Sequence, residues 1–257
     1  MLKIEGVYPA LITPFTKDDE VDKDGLRRLV EYMVEGGVAG IVPCGTTGES
    51  ATLSHKEHEE VIDVVVDCSK VPVIAGTGSN NTKEAVEFTK HAADAGADAC
   101  LLITPYYNKP NVKGLKEHFK RIGDSVEIPL ILYNIPSRTG QNVSAGTMVE
   151  LASEVANIKG VKEASGDLKQ VGAIIRSVAE QVLDFTVVAG DDFLTLPIMS
   201  LGGKGVISVA ANVVPREMSE RVDAMLKGKV EKATEINIRL FSLFEAMCLE
   251  TTAMRVK

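Results

Sequence analysis

Residues 130 to 165 read LILYNIPSRTGQNVSAGTMVELASEVANIKGVKEAS, and this stretch decides the fold. Leu130 to Tyr133 is a short apolar run of strand length, Ser144 to Ala152 has helical spacing, and Ile158 to Lys162 is a second strand-like run. A strand, a helix and a strand of this size make one right-handed β-α-β unit with parallel strands. Both strands end in reactive side chains. The first runs into Tyr133-Asn134-Ile135-Pro136-Ser137-Arg138-Thr139-Gly140, the second into Lys162-Glu163-Ala164-Ser165. A lysine held in an apolar strand end loses hydration of its ammonium, which favours the neutral amine, and a neutral amine attacks carbonyls. The stretch therefore points to a Schiff-base lysine at Lys162.

Outward from this unit the same rhythm repeats. Strands are expected at Val7 to Leu11, Gly40 to Pro43, Pro72 to Ala75, Cys100 to Ile103, Thr186 to Ala189 and Gly205 to Ser208, which with the two above makes eight. Helices are expected at Lys23 to Glu35, His55 to Cys68, Thr82 to Ala95, Lys113 to Gly123, Lys169 to Glu180 and Phe193 to Leu201, with Pro215 to Leu226 and Val230 to Met247 after the last strand. Eight such units in 257 residues fit an α/β fold, a closed (β/α)8 TIM barrel, better than an open doubly wound sheet. The open sheet, the second reading, lacks its dinucleotide fingerprint, since the first turn reads Thr13-Pro14-Phe15-Thr16. The barrel is expected over residues 1–226, followed by a C-terminal helical extension over 227–257.

Composition narrows the setting. A net charge of -8 with scattered basic residues disfavours nucleic acid as a partner. No apolar run reaches membrane-spanning length, and Met1 to Gly6 passes directly into a strand-like run rather than a leader, so a cytoplasmic protein is expected. Cys44, Cys68, Cys100 and Cys248 form no CxxC pair and are expected to be reduced and structural, with Cys44 beside a site loop. Gly202-Gly203-Lys204-Gly205 is too short for a phosphate loop and reads as a tight turn.

In such a barrel the chemistry gathers at the carboxyl ends of the strands. The polar motifs obey this: Gly45-Thr46-Thr47-Gly48-Glu49 follows the second strand, Thr104-Pro105-Tyr106-Tyr107-Asn108 the fourth, Gly190-Asp191-Asp192 the seventh, and Ile207-Ser208 ends the eighth. Two carboxylates after the seventh strand also disfavour a phosphorylated substrate, because that region often binds phosphate in barrels.

These motifs, in this order and over nearly the whole chain, resemble the dihydrodipicolinate synthase and N-acetylneuraminate lyase family of pyruvate-dependent class I aldolases. The resemblance implies that Lys162 forms an imine with pyruvate, that Tyr133 relays protons there, and that Thr46 and Tyr107 extend the relay, with Tyr107 reaching into a neighbouring subunit's site. It implies pyruvate carboxylate binding by Thr47 and further substrate contacts at Gly190, Ile207 and Arg138. The imine is an electron sink, so an enamine can form with no cofactor. In the family's synthases that enamine attacks aspartate semialdehyde to give 4-hydroxy-tetrahydrodipicolinate on the diaminopimelate route to lysine. Arg138 favours this acceptor, because a planar guanidinium can grip a carboxylate through two parallel bonds and related sialic-acid lyases usually lack an arginine there. Ser50, Ala51, His55, His58, Asn80, Glu84 and Tyr106 match positions lining a lysine-inhibition site in feedback-sensitive members. A homo-oligomer, dimer or tetramer, is implied. So are helices beyond the point matching Lys257, where the family's Asn-Pro-Ile-Pro-Val-Lys appears as Thr252-Ala253-Met254-Arg255-Val256-Lys257, so the extension reads as shortened.

Taken singly, each feature has a plainer reading. Lys162 could snorkel to solvent, the Gly45 to Glu49 loop could be a helix-capping turn, and Arg138 could be a surface ion pair. Tyr106 and Tyr107 could be interface aromatics. His55 and His58, three apart, lack a third metal ligand and read as a solvated first helical turn. Two other functions stay open: a pyruvate-dependent aldolase of 2-keto-3-deoxy sugar acids or N-acetylneuraminate, and a keto-acid sensor without turnover.

Overall fold

The computed structural model describes residues 3–250; the Thr252 to Lys257 motif lies outside them. Seven strands, β1 (Gly6–Pro9), β2 (Ile74–Gly76), β3 (Ala99–Ile103), β4 (Leu130–Asn134), β5 (Ile158–Glu163), β6 (Thr186–Ala189) and β7 (Gly205–Ser208), pair in the order β1-β7-β6-β5-β4-β3-β2. Every pairing is parallel. The helices are α1 (Lys23–Glu35), α2 (His55–Cys68), α3 (Thr82–Ala95), α4 (Val112–Gly123), α5 (Pro136–Thr139), α6 (Ala145–Glu154), α7 (Leu168–Glu180), α8 (Thr195–Ser200), α9 (Pro215–Leu226) and α10 (Val230–Cys248).

The expected second strand, Gly40 to Pro43, is reduced to two parallel bridges, Ala10 with Val42 and Ile41 with Val73. Pro9, Pro43 and Pro72 all lie along this seam, and none has an N–H to give to a ladder. The bonds that remain still close the sheet: Val42 N–H to the Pro9 carbonyl, Ile41 N–H to that of Pro72 and Gly76 N–H to that of Pro43, each at 2.9 Å. The architecture is the (β/α)8 barrel, with its seam held by few hydrogen bonds.

Period-two alternation sorts the strand residues into two cores. On β4, Leu130 and Leu132 pack outward under the helices, whereas Ile131 and Tyr133 join an inner cluster with Tyr8, Val42, Ile74, Val188 and Ile207. Helix starts follow from their caps. Ser54 and Glu57 form a reciprocal capping box on α2, and Asn81, Asn111, Ser144 and Asp167 each accept a first-turn N–H on α3, α4, α6 and α7. The helix expected from Phe193 is confined to Thr195–Ser200, since Asp191 Oδ1 takes the Phe193 N–H at 2.8 Å and holds that segment in a turn. The short α5 and a 3-10 turn at Ala210–Asn212 were not anticipated. Among the described residues no helix is long and apolar enough to cross a membrane.

Candidate active site

Tyr133 on β4 and Lys162 on β5 are register partners, both directed into the barrel at its carboxyl end. Lys162 is only 5% exposed, and its Nζ lies 4.1 Å from the centre of the Tyr133 ring. Burial brings the Lys162 ammonium down to about 7, helped by Arg138 and opposed by Asp192, so near neutral pH much of it is the nucleophilic amine. Burial also pushes the Tyr133 phenol up to about 12, against the pull of Arg138 and a hydrogen bond with Thr46. The phenol thus keeps its proton at neutral pH and can donate it.

A cavity of about 250 Å³ opens over this pair. Its walls include Thr46, Thr47, Ser137, Arg138, Ala164, Gly190, Asp191 and Asp192, with Phe244, Met247 and Cys248 of α10 on one side. The Thr46-Thr47 loop is fixed by the Thr13 hydroxyl, which donates to the Gly48 carbonyl at 2.7 Å. Two non-glycine residues with left-handed backbone, Cys44 (φ 54) and Glu49 (φ 59), bracket that loop. Arg138 sits on α5, which starts on Pro136 and ends on Gly140 in the left-handed region. Gly190 leaves room for the lysine: a Cβ there would stand 3.1 Å from Cγ and Cε of Lys162.

Behind the reactive pair, the next residues on both strands point outward and build a polar network that sequence reasoning did not find. Glu163 is buried, and its oxygens accept from Asn134 Nδ2 at 3.1 Å, Ser165 N–H at 2.7 Å and Gln170 Nε2 at 3.2 Å. Asn134 also bonds Asn142 at 2.8 Å and accepts the Val143 N–H at 3.0 Å. The signal was in the quoted motifs, since Tyr-Asn and Lys-Glu each pair a residue for the cavity with one for the opposite face.

A second cavity, about 430 Å³, is lined by Ser50, Ala51, His58, Ser79, Glu84, Phe88 and Tyr106, among others, and shares Thr46 and Arg138 with the first. Of the effector-site candidates, His55 and Asn80 stand behind this lining: His55 Nε2 bonds Glu84 Oε1 at 2.6 Å and Asn80 Nδ2 donates to the Tyr106 carbonyl at 3.2 Å. Ser79 also donates to Glu84.

Several expectations need correction. His58 is not solvated; it is buried, stacks on Phe88 with ring centres 4.1 Å apart and bonds the Gly76 carbonyl at 2.7 Å. Cys248 is exposed and lines the active-site cavity rather than packing as a small core residue. Ile207 lies in the inner core and does not line the cavity among the described residues. Tyr107 is not among the residues lining the cavity: it is 90% exposed with φ 69, a backbone tyrosine seldom adopts without a reason.

Fold and site together define a parallel barrel with a desolvated lysine at a strand end. Residues 3–257 match the model of the dihydrodipicolinate synthetase family, and the chain belongs to that family. The 4-hydroxy-tetrahydrodipicolinate synthase of Methanosarcina barkeri is 61% identical over 253 residues, 98% of this chain and 86% of the relative. Among solved structures, the chloride-inhibited dihydrodipicolinate synthase of Acinetobacter baumannii complexed with pyruvate is 43% identical with a TM-score of 0.94, covering 99% of this chain and 87% of that one. The dihydrodipicolinate synthase of Cyanidioschyzon merolae with lysine bound is 42% identical with a TM-score of 0.92, covering 96% and 84%.

Proposed function

We propose that this chain is a 4-hydroxy-tetrahydrodipicolinate synthase that condenses pyruvate with aspartate semialdehyde through an imine on Lys162. The observation that carries the reading is the buried lysine, brought down to about 7 and set 4.1 Å from the Tyr133 ring. Its amine adds to the pyruvate ketone and water leaves; the cationic imine then draws electrons from the methyl carbon, which loses a proton and becomes the nucleophile. Tyr133, hydrogen-bonded to Thr46, carries protons to and from that centre. Thr47, on the wall of the cavity, holds the pyruvate carboxylate, and Arg138, on the same cavity, holds the carboxylate of the aldehyde.

The exposed, strained Tyr107 fits a side chain made for a neighbouring subunit's site, so a homo-oligomer, dimer or tetramer, is part of the proposal. Lysine is proposed as an inhibitor in the larger cavity, its ammonium on Glu84 and its signal passing through the shared walls Thr46 and Arg138. A biosynthetic role in the cytoplasm, on the diaminopimelate route, goes with this activity.

The test is incubation with pyruvate and borohydride, which reduces an imine to a stable amine, followed by peptide mapping. An adduct on Lys162 is expected. No adduct on folded protein rejects Schiff-base chemistry, and turnover of a sugar aldehyde in place of aspartate semialdehyde rejects the acceptor.

A further inference from the structure

The chemistry proposed for the site makes no use of a carboxylate that lies within it. Asp192 follows β6, lines the active-site cavity and is 9% exposed. Its Oδ2 accepts two backbone N–H groups from the segment after β7, Val209 at 3.0 Å and Ala210 at 2.9 Å. Its Oδ1 is buried with no hydrogen-bond partner among the described residues. Behind it, Arg221 of α9 is fully buried, and both terminal nitrogens donate to the Asp192 carbonyl at 3.2 Å. One of them also reaches Asn237 of α10 at 2.9 Å, and the guanidinium rests 4.8 Å from the centre of Phe244, itself a wall of the cavity.

A buried carboxylate with one oxygen bound twice and the other unbound is costly unless a cation completes it. Arg221 feels the Asp192 charge from behind but makes no hydrogen bond to the carboxylate, because its bonds go to the main chain and to Asn237, so Oδ1 is left without a partner among the described residues. The remaining charge acts on the cavity. We propose that Asp192 is a positioning residue that supplies the counter-charge to the cationic imine of Lys162, while its other oxygen pins the segment after β7.

This rests on the imine reading of Lys162. When the imine forms, a full positive charge stands where burial disfavours charge. The charged groups that face it are Arg138 on α5 and Asp192 after β6, with Tyr133 on β4, Asp191 after β6 and Cys248 at the end of α10 as further titratable walls. Arg138 repels the cation and Asp192 attracts it. The Asp191 charge acts on Tyr133 and, together with that of Asp192, on Cys248, and Glu163 is turned to the helix side. Among the described residues, Asp192 is the carboxylate whose charge is set against the lysine.

The experiment is the pH dependence of pyruvate adduct formation on the full chain, trapped with borohydride and mapped to Lys162. Asp192→Asn keeps an oxygen for the Val209 and Ala210 amides and removes the charge. Its acidic limb is expected to move down by about one pH unit and its adduct yield to fall roughly tenfold. The Asp192→Glu and Asp192→Gln pair repeats the comparison at equal size: the glutamate is expected to hold the wild-type limb and the glutamine to lose it. A folded Asp192→Asn protein with wild-type limb and yield, or equal behaviour of the glutamate and glutamine variants, overturns the proposal. Absence of an adduct in the wild-type protein is a different failure, that of the imine reading itself.

Discussion

Replacing Gly190 by alanine tests whether the position of Lys162 is set by the space beside it. The added Cβ would stand 2.7 Å from Ala164 Cβ and 3.1 Å from both Cγ and Cε of Lys162. Carbon atoms pack best at about 3.5–4.0 Å, so the lysine or its neighbour must retreat by roughly 0.5–1 Å. The backbone offers no other reason for glycine, because Gly190 is not among the glycines with positive φ. A displacement of about 1 Å at a reacting group costs on the order of 100-fold in rate, whereas overpacking costs only about 1–3 kcal/mol of stability. Turnover with pyruvate and aspartate semialdehyde, the rate of borohydride-trapped adduct and the melting temperature are measured together. The expected result is a folded protein, a few degrees less stable, with adduct formation and kcat reduced together. Turnover within about twofold of wild type would refute the steric reasoning, since a shift of that size at a reacting atom cannot be silent.

Arg138→Ala is expected to raise KM for aspartate semialdehyde about 10- to 100-fold, the worth of charge-assisted bonds to one carboxylate, with a much smaller change for pyruvate; equal changes for both count against the assignment. Glu84→Gln removes the proposed ammonium partner in the larger cavity, so inhibition by lysine should weaken about tenfold while the uninhibited rate holds, and dose-response curves decide it. Glu163→Leu leaves the Ser165 N–H and one hydrogen of the Asn134 amide without their acceptor, the other staying on Asn142, which should cost about 1–3 kcal/mol per orphaned group in denaturant unfolding; an unchanged unfolding midpoint would mean the network carries no stability.

The strands and long helices were legible because each is a run of one period, two or 3.6, with buried residues on the expected face. Gly40 to Pro43 has the composition of a full strand, yet three prolines line its seam, a loss of donors visible only when the neighbouring strands are set beside it. The short α5 had its signals in Pro136 and Gly140 but was absorbed into the motif around Arg138. Lys162, Tyr133, Thr46, Thr47, Arg138 and Gly190 meet around one cavity as the spacing and resemblance implied. What stayed hidden needs the third dimension. Arg221 reads as an ordinary charge on an amphipathic helix, and nothing local marks it as fully buried beneath α10. His58 looked like a solvated helix start because its stacking partner, Phe88, is thirty positions away in sequence.

The pairing of Tyr133 with Lys162 and of Asn134 with Glu163 across β4 and β5 has a consequence for how this gene can vary. Successive strand residues face opposite sides, so one codon inserted within either strand would turn its reactive side chain into the helix layer and its network side chain into the barrel. Chemistry and scaffold would be lost in one step. Length changes can accumulate in the loops, including those between the two strands, while β4 and β5 themselves are closed to single-residue insertion or deletion.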